Sequence, residues 1–472
     1  MLGLILCTLA LSQTPVANPL LTPDQMKADL RIAHEIFDAD DAGMYRYVSK
    51  DQLDLVWNKA EAQLNRPMNA FGFYRVLLPA VAAQKCGHSG IQLPKPLADD
   101  LLANRPLLPL FVKVLPSGAF VYRDLSKPGS PNDGARIQSI NGVDIKKIVG
   151  MMMHSVCMDG DSTDGRRAKI SGQQFCAYLV TLLGMSAPYQ VEMRLDTGKS
   201  TTVSYDGLVM PEIAKQSILK NLVPDSDADP AWFKLTENGT VGVLRVTQFN
   251  DSEGHDPVRK VFESAFNALK DNHSKSLIID VRDNGGGEDE LGQILLSYLE
   301  TKPFKYYDHL LLNGTYRKSS TYTGDFSPPP PGLVSRQPDG AYEVTGHPNW
   351  GIKDPRQPHF GGKVFILANG NSFSTTCEFL SHIKSERLAT IIGEDTGGNY
   401  YGNTSGFTTS VTLPNTKMRI RVPGLAYWIT VDHRFPPASP IHPDIRLQST
   451  IQDLVVGRDV QMDKALDLAR KA

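Results

Sequence analysis

The chain has 472 residues, of which 41% are hydrophobic and 21% charged, and its formal net charge is −2. That length allows roughly three domains of ~150 residues each, and the balance is that of a globular protein rather than a disordered one. A near-neutral chain offers no basic field for nucleic acid and no acidic tail for a basic partner.

The opening MLGLILCTLALSQTPVA reads as a signal peptide over 1–17. Its apolar run at 2–11 is too short to cross a bilayer, which takes ~20 residues, and small residues precede a cut after Ala17. The positive n-region is poor, since the first basic residue is Lys27; a buried N-terminal segment is the alternative. The expectation is an exported protein, periplasmic or extracellular, with no stable membrane insertion after signal removal. Cys86, Cys157, Cys176 and Cys377 contain no CxxC pair, so a zinc site of that kind is not indicated. With Cys7 inside the predicted signal peptide, four thiols remain, which in a chain this long allow a bridge or two but no disulfide framework.

Residues 18–103 read as a helical domain. Thr22-Pro-Asp-Gln25 and Ser49-Lys-Asp-Gln52 are helix-start boxes. Each precedes apolar residues at helical spacing: Met26, Leu30, Ala33 and Phe37, then Leu53, Val56, Ala60 and Leu64. A third helix over 70–83 stops at Cys86-Gly-His88-Ser89-Gly90, a glycine-flanked loop carrying a histidine. Residues 104–208 turn to short strands, LFVKVL, AFVYRDL, ARIQSING and YQVEMRL, interrupted by a Met-rich helical stretch at 151–183. SPNDGARIQSINGVDI is similar to the part of a PDZ domain where a strand meets a turn and a helix; a generic small β-rich domain is the alternative reading. A polar linker follows over 209–230. From 231 to 472 strands alternate with helices: VGVLRV, a helix at 256–270, SLIIDVR, a helix at 291–299, KVFILAN, a helix from Thr375, and ATIIG. That alternation predicts an α/β core with largely parallel strands. The apolar-poor stretch at 314–360 reads as a surface insertion, possible as a flap.

Two segments carry the chemistry. In KVFILANGNSFSTTCEFL a strand ends, a short turn follows and Ser374 opens a helix. A helix start has unpaired N–H groups and partial positive charge, which suits a nucleophile whose reaction builds a negative oxygen, with the Thr375 N–H as one donor. Serine is equally the residue of a plain helix cap. In SLIIDVRDNGGGEDE a strand runs into Gly285, Gly286 and Gly287, where bare backbone can turn N–H groups inward as the other oxyanion donor; an ordinary strand-to-helix turn is the alternative. A serine nucleophile needs a base. Of the eleven histidines, His382 lies on the Ser374 helix ~12 Å further along, out of reach, and His34 belongs to the first helix. His88, His433 and His442 are candidates, although spacing alone favours a core or surface role for His88.

The combination of SLIIDVRDNGGG, NGNSFSTTCEFL, IIGEDTGGNYYGNTSG and HPDI resembles the tail-specific (C-terminal processing) and tricorn-type serine proteases, in motif order and spacing. The resemblance implies a crotonase-like α/β core behind an N-terminal helical bundle and a PDZ-like β-rich domain. It puts Ser374 on the nucleophile and the Gly285–Gly287 run, with Gly286 and Gly287 as donors, on the oxyanion side. One branch uses a lysine where this chain has Asn399; the other uses a histidine in a GHS-like motif, which matches His88, with Ser89 as a supporting group. The carboxylate that orients the histidine has two candidates, Glu394 and Asp432, while Asp444 in HPDI reads as a turn residue. The implied activity is a serine endopeptidase acting on protein or peptide substrates through an acyl-enzyme, with no metal or organic cofactor. A PDZ-like domain implies recognition of an extended peptide end by strand addition. A non-catalytic binder on the same fold, or a hydrolase of non-peptide acyl bonds, remains open. If His88 and Ser374 meet, Cys86 and Cys377 should also be close, without a bond between them.

Overall fold

The computed structural model describes residues 16–127, 129–216, 229–251, 256–315, 324–325, 332–338 and 340–471. Residues 1–15 of the predicted signal peptide and 217–228 of the predicted linker lie outside them.

The N-terminal helices are α1 (Pro23–Asp40), α2 (Lys50–Gln63) and α3 (Ala70–Ala82). Both predicted capping boxes form. The Gln25 N–H donates to Thr22 Oγ1 at 3.3 Å while the Thr22 N–H donates to Gln25 Oε1 at 2.9 Å, and Ser49 and Gln52 make the same exchange. The apolar faces of these helices, including Phe37, Leu53 and Leu77, are fully buried.

The second region is an antiparallel sheet of strands Leu110–Leu115, Gly118–Asp124, Arg136–Ile140, Tyr189–Arg194 and Ser200–Tyr205, in that spatial order. The Met-rich stretch forms three helices, Ile145–Ser155, Thr163–Lys169 and Gln173–Thr181. This region and the helices are not separate in packing. Leu77, Val112, Tyr189 and, from near the other end of the chain, Ile420 belong to one continuous apolar core. Amphipathic helices and a one-sided sheet each expose an apolar face, and each face covers the other.

The C-terminal half is built on a six-stranded sheet. Its strands are β1 (Ala231–Thr236), β2 (Val241–Val246), β3 (Ser276–Asp280), β4 (Lys363–Ala368), β5 (Thr390–Gly393) and β6 (Ile445–Arg446), arranged β6-β5-β4-β3-β2-β1. All neighbours are parallel except β1 and β2. Every residue of β2 and β3 is buried, as expected of parallel strands covered on both faces. The helices α4 (Pro257–Asp271), α5 (Asp289–Ser297) and α6 (Thr375–Glu386) pack with one face, and Ala465 and Ala469 of the last helix with the other. Adjacent parallel strands end side by side, so the loops after β3 and β4 meet at the carboxyl edge of the sheet, where such folds form crevices. These are the glycine loop and the Ser374 turn.

The predicted insertion contributes more than a loop. Tyr342–Val344 pairs with Tyr307–Leu312, which pairs with Leu425–Ile429. Among the described residues no helix is long and apolar enough to cross a membrane.

Candidate active site

The turn after β4 is held by a dense set of hydrogen bonds. Ser372 Oγ accepts from the Asn369 N–H at 3.1 Å and donates to the Val281 carbonyl at 2.9 Å. The Phe373 N–H donates to the Asn284 carbonyl at 3.0 Å, Thr376 Oγ1 to the same carbonyl at 3.1 Å, and Thr375 Oγ1 to the Gly287 carbonyl at 2.9 Å. The two loops are therefore stitched into one unit.

Within it Ser374 has φ +56° and ψ −129°, and its side chain makes no capping bond to the helix it precedes. A serine at a helix start ordinarily sits in the extended region and caps with its oxygen. Here the backbone is turned into a region that favours glycine, at a cost of about 1–3 kcal/mol, and the hydroxyl points elsewhere. Ser374 Oγ lies 3.1 Å from His88 Nε2. Of the two roles open to this serine in the sequence, the helix cap is not the one it takes.

His88 arrives from the other half of the molecule. After α3 the chain turns at Lys85, φ +60°, passes through Gly87 and enters the strand Gly90–Gln92, which pairs antiparallel with Arg419–Val422, Gly90 opposite Arg421. A Cβ at Gly87 would stand 2.5 Å from the Phe373 ring, so only glycine lets this loop approach the turn. The imidazole packs on Phe373 with ring centroids 4.7 Å apart. Burial, reinforced by the positive charges of Arg421 and Lys169, pushes His88 down to about 3, so the ring is neutral at physiological pH and able to accept a proton.

Close to the ring lies a residue the sequence did not single out. Asp159 is 1% exposed; one carboxylate oxygen accepts the Gly87 N–H at 2.6 Å. A ring nitrogen of His88, Cys86 Sγ and an Asp159 oxygen all lie within 4.8 Å of one another. His88 Nδ1 and Asp159 Oδ2 are both buried and without a hydrogen-bond partner among the described residues. Burial raises the Asp159 carboxyl to about 7. Its position comes from the loop between two of the Met-rich helices, closed by the Gly160 N–H donating to the Lys85 carbonyl at 3.0 Å. Asp159 lies 72 residues from Gly87, whose N–H it accepts, and only the Asp-Gly turn at 159–160 marks the place locally.

The predicted carboxylates are engaged elsewhere. Glu394, at the end of β5, accepts the Gly370 N–H at 3.4 Å. Asp432 accepts from the Tyr400 hydroxyl at 2.6 Å and pairs with Arg434 on the surface. Neither hydrogen-bonds to His88, and neither does Ser89, whose buried hydroxyl has no hydrogen-bond partner among the described residues. His433 stacks on Tyr401 and His442 pairs with Asp395 at 2.9 Å, so of the three histidines considered only His88 meets Ser374. Asn399 is buried, with its amide donating to the Pro437 and Ser439 carbonyls. Asp444 binds the Ile391 N–H at 2.8 Å, a structural role.

Of the three predicted oxyanion donors, Gly286 already donates its N–H to Asn284 Oδ1 at 2.9 Å. Among the described residues nothing accepts the N–H of Gly287 or of Thr375. Gly286, φ +99°, has another part: a Cβ there would stand 2.6 Å from Ser374 Cβ and 3.0 Å from the Thr375 nitrogen. The insertion closes one side, where His347 pairs with Asp289 at 3.0 Å. The Tyr307 hydroxyl bridges toward Glu378, one turn into α6, at 2.6 Å. Cys86 and Cys377 are both buried free thiols. The Cys377 Sγ donates to the Ser372 carbonyl at 3.1 Å and the Cys86 Sγ to the Thr404 carbonyl at 3.5 Å.

A serine on a strained turn, a neutral histidine at hydrogen-bond distance and free backbone N–H groups are the parts of a serine hydrolase. Residues 240–447 match the family model of peptidase family S41. Two solved structures share the fold over almost their whole length. Mature CPAF complexed with lactacystin is 14% identical with a TM-score of 0.64, covering 95% of this chain and 98% of the other. Mature CPAF gives 14% and 0.61, with 95% and 96% covered. None of the curated protein sequences matches the chain.

Proposed function

We propose that the protein is an exported serine endopeptidase that cleaves protein or peptide chains through an acyl-enzyme, with Ser374 as nucleophile and His88 as base. The observation that carries this reading is the 3.1 Å approach of His88 Nε2 to the Oγ of a serine held at φ +56°. The match of residues 240–447 to a peptidase family model supports the substrate class.

In the proposed mechanism neutral His88 removes the Ser374 proton as Oγ attacks the substrate carbonyl. Negative charge builds on the carbonyl oxygen at the start of α6, where the Thr375 N–H, the helix dipole and the Gly287 N–H stabilise it. The imidazolium formed in that step carries a proton on Nδ1, and Asp159, ionised, stabilises it and fixes the ring. His88 then protonates the leaving amine, and water activated by the same nitrogen releases the acyl group. Asp159 is a positioning residue in this scheme, in the role first sought at Glu394 and Asp432. Glycine at 286 keeps the space around Ser374 free.

The export signal at 1–17 and the peptide-end recognition by the sheet at 104–208 belong to the same reading. The test is cleavage of a mixed peptide and ester library by the full chain and by Ser374→Ala. Loss of all cleavage in a folded variant supports the assignment, esters cut without peptides replace it by a non-peptide acyl hydrolase, and cleavage unaffected by the substitution removes it.

A further inference from the structure

In the region of His88 the protein buries more polar atoms than it pairs. His88 Nδ1, Asp159 Oδ2, Asp41 Oδ2 and both amide atoms of Gln84 are buried without partners among the described residues. Asp159, Asp41 and Gln84 are 1%, 2% and 2% exposed. Buried polar atoms of this kind are ordinarily satisfied. Among them is a set of donors of three chemical types, with Cys86 Sγ, a ring nitrogen of His88 and an Asp159 oxygen mutually within 4.8 Å. Since Nε2 faces Ser374, the nitrogen available to this set is Nδ1.

We infer that Cys86, His88 and Asp159 form a binding site for a soft divalent cation, zinc foremost, that switches the catalytic histidine off. A sulfur, an imidazole and a carboxylate are a zinc donor set, with bonds of ~2.0–2.3 Å. Tetrahedral ligands at those lengths stand ~3.3–3.8 Å apart, so the site closes with side-chain shifts on the order of 1 Å. Asp159 and Asp41 are both buried carboxyls, and two such groups in one region favour a dication over a monovalent ion. Irving–Williams affinity and the thiolate argue against magnesium or calcium.

Proton bookkeeping is simple. The Cys86 S–H bond breaks, its proton goes to solvent and an S–metal bond forms; Asp159 gives up any proton it holds. The imidazole proton moves from Nδ1 to Nε2, and no electron is transferred. With its hydrogen on Nε2, His88 donates to Ser374 Oγ instead of accepting from it, so the base is blocked. The site stands on its own geometry; only its inhibitory effect rests on the Ser374–His88 reading.

The experiment titrates the full chain, as Ser374→Ala, with Co²⁺ and follows the visible and near-ultraviolet spectrum, then displaces Co²⁺ with Zn²⁺. The expected result is a thiolate-to-cobalt charge-transfer band saturating at one equivalent, abolished in Cys86→Ala and Cys86→Ser and kept in Cys377→Ala. Zinc X-ray absorption on the unsubstituted chain needs no variant to fold and should show one sulfur near ~2.3 Å with nitrogen and oxygen ligands. A spectrum without a thiolate band up to ~1 mM metal, a band that survives loss of Cys86, or a zinc shell of nitrogen and oxygen alone overturns the site. Fluorophosphonate labelling of Ser374 should then slow at least 10-fold on adding Zn²⁺, and less in Cys86→Ala, each measured against its own metal-free rate. Labelling that zinc leaves unchanged overturns the inhibition. A cobalt band in a chain whose Ser374 never labels would leave the metal site standing and remove the proposed function.

Discussion

Asp159→Asn is the substitution that separates a positioning carboxylate from a structural one. Asparagine keeps an oxygen to accept the Gly87 N–H, now at 2.6 Å, so the loop that carries His88 should hold its place. What is lost is the charge beside Nδ1 when the imidazolium forms. A hydrogen bond to a charged partner contributes about 1.5–3 kcal/mol, which at 1.4 kcal/mol per decade is a ~10- to 150-fold fall in kcat. A wrong imidazole tautomer would deepen the loss toward ~10⁴-fold. KM should change little, because Asp159 is buried away from the substrate side. The pH profile gives the second readout. With the carboxyl at about 7 and the imidazole at about 3, the acid limb of wild-type kcat/KM should follow Asp159. Activity should rise as pH increases through about 7 and level off above it. In Asp159→Asn that limb should vanish, leaving a low, flat profile down to acid pH. Steady-state hydrolysis of a peptide substrate between pH 4 and 9 makes the measurement. A variant within ~2-fold of wild type, or one with an unchanged acid limb, would refute the role.

Three further outcomes follow from the geometry. Ser374→Gly removes a side chain from φ +56° and should raise the urea midpoint by the equivalent of ~1 kcal/mol while abolishing activity, since strain of ~1–3 kcal/mol is relieved against a smaller glycine entropy cost. Gly286→Ala places a methyl group 2.6 Å from Ser374 Cβ at a φ of +99°; kcat should fall at least ~100-fold with a loss of ~2–4 kcal/mol in stability, read by kinetics and thermal unfolding. Asp41 is raised to about 7 mainly by burial. Because its folded affinity for the proton exceeds that of the unfolded chain, it lowers stability as pH rises from about 4 to 7. Asp41→Asn, which keeps an acceptor for the Gly43 N–H, should therefore increase Tm at pH 8 and leave it nearly unchanged at pH 4.

The strands and helices of the second half were legible because parallel strands buried on both faces read as unbroken apolar runs; VGVLRV, SLIIDVR and KVFILAN fall on β2, β3 and β4. The loops after β3 and β4 could be proposed as a site on that basis. Whether Ser374 is a cap or something else could not, because both roles select serine at a helix start. The backbone angle and the missing cap bond decide it, and neither has a sequence pattern. Asp159 was hidden for a different reason. Its neighbours in space, Gly87 and His88, are contributed by a distant loop, and a single Asp-Gly turn among Met-rich helices looks like a connection. Helical periodicity showed that α1–α3 each have an apolar face but not what covers it, so a shared core with the sheet at 110–205 was not visible. The strand Ser200–Tyr205 was missed because STTVSY has too few apolar positions to alternate. Tyr342–Val344 is short and lies within polar sequence.

Hydrolysis by this site requires that His88 activate Ser374. The most direct measurement is the rate at which a fluorophosphonate labels the full-length chain, with the modified residue located by peptide mass spectrometry, in wild type and in His88→Ala. Labelling confined to Ser374, at least ~100-fold slower without His88, is the predicted result. Labelling at another residue, or at Ser374 at the same rate without the histidine, would contradict it.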